Sequence, residues 1–406
     1  MRVTPAFFFL IIFLAFLAPA SLAQNGSWQM PLFQGEAFRP EFSARDLKVM
    51  TRVLQLSPEA QKSLQDLYDG YAAQLNDEIN RLKAQCYDEV DRAELMNNDE
   101  MLEPVRERVK AFKARAEQIK QQFLTDLKSL LTREQEANWP TLERELRRIR
   151  RIPRGQLCGE AVDVVGIAEE AVEGRDMPAP LAEVLLRYRT EIDHALTTRD
   201  TYLEGEGKDY YELVKKDAAR ATEVWKEALR LRLTVRDTNE RYARLVAAEL
   251  PEDRRSGFEQ RVFASSYPML HRPTRLDQYI EDALRLPELS PEQKQQIEAV
   301  RRQRKEKTEA WARRAAAGWR KFQEEEMPES LAQAIGRPQR KERAIMFNGS
   351  WLSEDHPLVK ARTERVELER TLKAQVDAAL TREQREAIPA RLNDMAKFEV
   401  WTNHGI

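Results

Sequence analysis

Cysteine, histidine and glycine are the scarce residues of this 406-residue chain, at 2, 4 and 14 positions. The histidines, His194, His271, His356 and His404, are scattered, and no Gly-flanked serine or cysteine elbow accompanies them. A histidine-dependent nucleophilic triad is therefore not expected. No two histidines stand at the one-turn spacing that would put both imidazoles on one helical face for a metal. A glycine-rich loop to cradle a phosphate is missing as well. Carboxylates are abundant, but runs such as Glu324-Glu325-Glu326 lie among equally dense cations and read as a solvated helical face. These absences exclude the common catalytic and cofactor-binding classes, and no cofactor or metal is expected.

Few glycines together with many Arg, Glu, Ala, Leu, Gln and Lys residues make a composition of long helices rather than sheets. The hydrophobic fraction of 42% is high enough to build buried cores beside 33% charged residues, so disorder is not expected. The formal net charge of −2 speaks against nucleic acid or an anionic membrane surface as partner.

At the N-terminus Arg2 precedes an apolar run from Ala6 to Leu17, followed by the small residues of Ala18-Pro19-Ala20-Ser21-Leu22-Ala23. This is the pattern of a secretory signal peptide over residues 1–23, with Gln24 as the mature terminus and a periplasmic or secreted location. The run is shorter than the ~20 apolar residues of a bilayer span, and every later apolar segment is interrupted by charge. No membrane span is expected after cleavage. In that oxidising setting two readings stand for Cys86 and Cys158: a bridge pinning the Gly155–Gly159 segment to a helix, or two small buried hydrophobes.

A short phrase recurs along the chain. Leu131-Thr132-Arg133-Glu134-Gln135 returns as Leu380-Thr381-Arg382-Glu383-Gln384 and as Leu289-Ser290-Pro291-Glu292-Gln293, with a looser copy at Leu56-Ser57-Pro58-Glu59-Ala60-Gln61. Ser or Thr at a helix N-cap accepts from the backbone N–H three residues on, and Gln at that position reaches back to the cap's own N–H. Proline fits the first helical position, and the glutamates meet the positive end of the helix dipole. Helices are thus expected to start at Ser57, Thr132, Ser290 and Thr381.

Between the starts the apolar period is helical. Leu64, Leu67, Tyr71, Leu75, Ile79, Leu82, Cys86 and Val90 step by threes and fours, and Val105, Val109, Phe112, Ile119, Phe123 and Leu127 mark a second long helix beyond a turn at Asn97-Asn98-Asp99. The plan of one short and two long helices reappears from Leu276 onward. A degenerate copy is read in the middle, where Asp163–Glu173 is the short helix, Pro180–Leu196 opens the long one, and Leu250-Pro251-Glu252-Asp253-Arg254 replaces the second phrase. The expectation is three helical units at 24–153, 160–268 and 274–398, joined near Arg154–Gly159 and Pro268–Pro273, forming an all-α, elongated or curved chain of tandem hairpins.

Several local features receive plain structural readings. The basic runs Arg147–Arg151 and Arg301–Lys305 read as a helix end complementing its dipole and as a mixed-charge face. Trp311, Ala315, Gly318 and Phe322 form a helical stripe that reads as core. The Asn-Gly-Ser-Trp sequences at Asn25 and Asn348 fall out of register with the repeat, and are glycosylation sequons only in a eukaryotic host.

The repeated phrase resembles the LTXXQ motif of the Spy/CpxP-like periplasmic proteins: strictly at Leu131, Thr132 and Gln135 and at Leu380, Thr381 and Gln384, conservatively at Leu289, Ser290 and Gln293, and defectively at Leu56 and Ser57, where Gln61 lies one position late. The resemblance implies a curved helical hairpin and either ATP-independent holding of unfolded envelope clients or transmission of envelope stress. Related metal-responsive members bind zinc or other metals. Known members are single small units that form homodimers, and a tandem chain departs from that pattern. The motif residues carry structure and not client contact, so no client-binding surface is transferred. Beside the chaperone or stress-response reading stand two alternatives: a structural scaffold for one dedicated partner, and a metal-responsive sensor.

Overall fold

The computed structural model describes residues 40–96, 103–327 except positions 174, 209, 211, 212, 214 and 215, and then 345–347, 350–352 and 355–389. The leader, Asn25, the Asn97–Asp99 turn, Asn348 and His404 lie outside the described residues. The fold is all-α; beside the helices, the described residues include a short antiparallel pair, β1 (Ile345–Phe347) and β2 (Ser350–Leu352), with Met346 opposite Trp351. The chain divides into two compact units, one ending at Arg154 and one starting at Gly155.

In the N-terminal unit, α1 (Ala44–Leu54) leads into two long helices, α2 (Pro58–Met96) and α3 (Glu103–Ser129), then the single turn α4 (Arg133–Glu136) and α5 (Trp139–Arg151). The helix read from Thr132 onward is thus broken in two around Asn138. The long helices pack along each other because their stripes coincide: Leu64, Tyr71, Leu75, Ile79, Leu82 and Cys86 of α2 share one core with Val105, Phe112, Ile119, Phe123 and Leu127 of α3. Phe42, Tyr71 and Phe123 form a ring cluster with centroids 5.0–5.7 Å apart, in the favoured range for aromatic pairs. Across one end, α1 packs on α5 through Leu47, Met50 and Leu54 against Leu142, Leu146 and Ile149.

The basic run on α5 is partly internal to this unit. Arg148 is buried and donates to Glu145 at 2.9 Å; Arg150 donates to Glu41 at 2.9 Å and lies over the Phe42 ring.

The C-terminal unit continues with α6 (Val164–Ala171), α7 (Ala179–Glu204), α8 (Ala218–Glu249), α9 (Glu252–Ser266), α10 (Pro268–His271), α11 (Arg275–Leu284), α12 (Pro291–Lys321), a π-turn at Phe322–Glu326, α13 (Pro357–Ala379) and α14 (Arg382–Ala387). The order short, long, long, short is therefore met three times along the chain. Long partners α7 and α8, and α12 and α13, lie side by side, as α2 and α3 do. Asp163 and Asp217 cap α6 and α8, accepting from Gly166 N at 3.2 Å and Arg220 N at 3.0 Å.

One organisational expectation needs correction and a second is met in position but not in character. The segments 160–268 and 274–398, read as separate units, belong to one. The cause is the stripe on α12: Trp311, Ala312, Ala315, Ala316, Trp319 and Phe322 are buried in one core with Ala221, Val224, Trp225 and Leu229 of α8, which cover an apolar face too wide for α13 alone. The join expected near Arg154–Gly159 does fall at the boundary between the two units, but the residues beyond it are not an open linker. Residues Gln156 to Glu160 are buried, Gly159 holds a φ of +83°, and a Cβ on Gly155 would lie 2.7 Å from the Ala161 nitrogen. The segment is a tight turn inside the fold, made possible by glycine's freedom at positive φ and by its missing side chain.

Candidate functional site

Each copy of the repeated phrase caps a helix. Thr132 Oγ1 accepts from Gln135 N at 3.3 Å while Gln135 Oε1 accepts from Thr132 N at 3.0 Å. Ser290 and Gln293 repeat this at 3.2 and 2.9 Å, and Thr381 and Gln384 at 3.3 and 2.9 Å. In the loose copy Ser57 Oγ accepts from Ala60 N at 3.3 Å, and Gln61 donates instead to Leu56 O at 2.9 Å. The adjacent carboxyls of Glu134, Glu292 and Glu383 are held below the usual carboxylate range by their own backbone N–H and by the capping hydroxyl. All four expected helix starts stand where the phrase puts them.

The phrases also meet in pairs, which periodicity could not indicate. In the C-terminal unit Gln293 Nε2 donates to Ala379 O at 2.9 Å and to Gln384 Oε1 at 2.8 Å. Gln384 Nε2 returns the contact, donating to Glu288 O at 3.0 Å. Each amide thus caps its own helix with oxygen and grips the other phrase with nitrogen, forming a reciprocal clasp across the base of the hairpin. In the N-terminal unit the clasp runs one way: Gln135 Nε2 donates to Gln55 O at 3.1 Å, while Gln61, one position late, turns back on its own phrase. Gln55 is the described non-glycine residue with positive φ, +53°, the left-handed turn that ends α1. Leu56 and Leu380 are buried, and Leu131 and Leu289 are partly buried against the same cores, so each phrase is anchored by its leucine.

The middle segment holds the corresponding place differently. Pro251 caps α9 without a side-chain bond, and Arg175 pairs with Asp253 at 3.0 Å where the other units use glutamine. Arg255 Nε donates to Ala247 O at 2.7 Å, covering a carbonyl at the end of α8.

A buried polar centre joins the turn at 156–160 to α7 and α8. Glu160, fully buried, accepts from Gln156 N at 2.6 Å, Leu157 N at 3.0 Å, Arg199 at 2.8 Å and Arg232 at 3.0 Å. Burial alone would raise its pKa, but the Arg232 and Arg199 guanidiniums and the two backbone donors outweigh it and hold the carboxyl below its usual range. Asn239 donates to Gly159 O and Glu160 O at 2.9 and 3.0 Å and accepts from Tyr188 at 2.9 Å. This constellation was not singled out from sequence, because its members are far apart along the chain. An acidic residue beside the Gly155 and Gly159 pair was the available signal.

Cys86 and Cys158 are free thiols, each buried in the core of its own unit, so no bridge joins them. Burial pushes the Cys158 thiol up to about 12. The described histidines stay scattered. His356 caps α13, accepting from Leu358 N at 3.1 Å; His271 meets Phe263 edge-on and is held below its ordinary pKa by burial; His194 lies beside an open depression of about 510 Å³ on α7. Among the described residues, no three or more His, Cys, Asp or Glu side chains gather as for a metal, and no helix is long and apolar enough to cross a membrane.

Geometry and fold define an all-α protein of clasped helical hairpins. No known protein family, curated protein or solved structure matches the chain.

Proposed function

We propose that this chain is an exported, non-enzymatic helical binding protein that holds other polypeptides of the cell envelope without nucleotide, a chaperone or stress-response role of the kind its LTXXQ-like phrases imply. The reading is carried by the pairing of those phrases: the residues that prompted the resemblance act together as one clasp in each of two hairpins, rather than as unrelated caps. Clients would meet the outer faces of the long helices, where apolar stems are rimmed by Lys, Arg and Glu.

One observation favours the second reading, a scaffold for a dedicated partner. Among the described residues the large hydrophobics left exposed are Leu130 in the turn after α3, Leu186 on α7 and Leu245 on α8, so recognition would rest on charge more than on apolar area. Suppression of aggregation of an unrelated unfolding protein by the purified mature chain, without nucleotide, separates the two. Protection at near-stoichiometric ratio is expected for holding; no protection at several-fold excess would leave the scaffold.

A further inference from the structure

The C-terminal hairpin has two cores along one seam. At its base Leu276, Tyr279 and Ile280 of α11 pack with Ile297 and Val300 of α12 and Leu372 and Val376 of α13. Higher up, Trp311, Ala312, Ala315, Ala316 and Trp319 of α12, Phe322 at the start of the π-turn, and Leu358 and Val359 of α13 belong to the core shared with α8. Between them no residue from Arg301 to Ala310 is fully buried, and on α13 the only fully buried side chains between Val359 and Leu372 are Arg365 and Glu369, each no more than 2% exposed.

This intervening layer is polar and poorly satisfied. Arg304 donates to Asp277 at 2.6 Å and to Thr274 at 3.1 Å, but its Nε has no partner. Arg365 Nε is ion-paired with Glu369 Oε1 at 2.7 Å, Arg304 Nη2 stands 3.8 Å from the same oxygen, and the Arg365 guanidinium lies over the Trp311 ring. Burial still holds the Glu369 carboxyl above and the Arg365 guanidinium below its ordinary pKa, and Arg365 Nη1 and the buried Thr308 Oγ1 have no hydrogen-bond partner among the described residues. Glu160, in the turn packed against α7 and α8, by contrast has four donors. The α2–α3 seam carries apolar side chains along its length. A buried polar group left unsatisfied weakens the folded state by roughly tenfold or more in equilibrium terms, and several are concentrated here.

We propose that Arg304, Thr308, Arg365 and Glu369 form a polar hinge that divides the C-terminal hairpin, so that its clasped base unfolds and refolds as a unit while the upper part stays packed. The base comprises α11, α12 up to Val300, α13 from Leu372 and α14, with the Gln293–Gln384 clasp at its end. The upper part is held by α8. One pair of continuous helices therefore spans two cooperative units, with the boundary set by side-chain chemistry rather than by a loop.

Native-state hydrogen exchange of the full chain, read by mass spectrometry at increasing sub-denaturing urea, tests this. Peptides covering 292–300 and 372–379 should open together at least about tenfold more often than peptides covering 311–321 and 358–362 on the same helices, with the step between 304 and 308 on α12 and between 365 and 369 on α13. Equal opening on both sides would overturn the hinge. The variant Thr308→Val/Arg365→Met/Glu369→Leu, which replaces the buried Arg365–Glu369 pair and the Thr308 hydroxyl by apolar side chains and leaves Arg304 on Asp277 and Thr274, should erase the step; a step of unchanged size in the folded variant would also overturn it. Should that variant not fold, Thr308→Val alone, expected to narrow the step, serves in its place.

Discussion

Removing the amide of Gln384 separates a clasp from a mere cap. In Gln384→Ala the Oε1 bond to Thr381 N, the Nε2 bond to Glu288 O and the pairing with Gln293 all vanish. Partly exposed hydrogen bonds contribute about 0.5–1 kcal/mol each, so the C-terminal unit should lose about 2 kcal/mol. For a unit of this size that lowers its calorimetric midpoint by about 4–8 °C. Thr381→Ala, which removes only the cap, should cost about 1 kcal/mol. The double variant Gln293→Ala/Gln384→Ala carries the decision, because the two amides touch. Its loss should fall short of the sum of the singles by about 0.5–1 kcal/mol, the coupling expected of directly bonded side chains. Strict additivity, with each single near the cap value, would refute the clasp and leave four independent helix starts.

Two further outcomes follow from the buried groups. The folded pKa of Glu160 lies below its unfolded value, so its stabilisation is present above about pH 4.5 and is lost as pH falls through the folded pKa; acid titration of the C-terminal unit should show this, and Glu160→Gln, which removes the buried counter-charge of Arg232 and leaves Arg199 with Asp200, should cost about 3–5 kcal/mol at neutral pH. The Cys158 thiol, buried and raised to about 12, should resist alkylation in the folded chain at pH 8 and react once the unit unfolds; rapid labelling without unfolding would contradict its burial.

Helix starts and stripes were legible because they are local. A hydroxyl three residues before Gln135, Gln293 or Gln384 sets a cap whatever the surroundings, and the steps from Leu64 to Cys86 describe one face of one helix. The break at Asn138 had a local signal that the helical period hid: Pro140 fits the first turn of a new helix and not the interior of one that began at Thr132. The clasp was half legible. The glutamine's oxygen has a local task, whereas its nitrogen reaches residues 80 to 96 positions away.

Sequence alone determined that the chain is helical, where its capped helices begin, and that the Trp311–Phe322 stripe is core, because backbone propensity, capping and the 3.6-residue period act over a few residues. The tertiary structure decided which faces meet. The stripe on α12 is covered jointly by α8 and α13, merging two expected units into one, and the 156–160 turn becomes a buried, ion-paired centre instead of a linker. Those outcomes depend on how much apolar area each helix leaves for the next and on which distant charges can be brought to Glu160 without water. Neither quantity is carried by neighbouring residues in the chain.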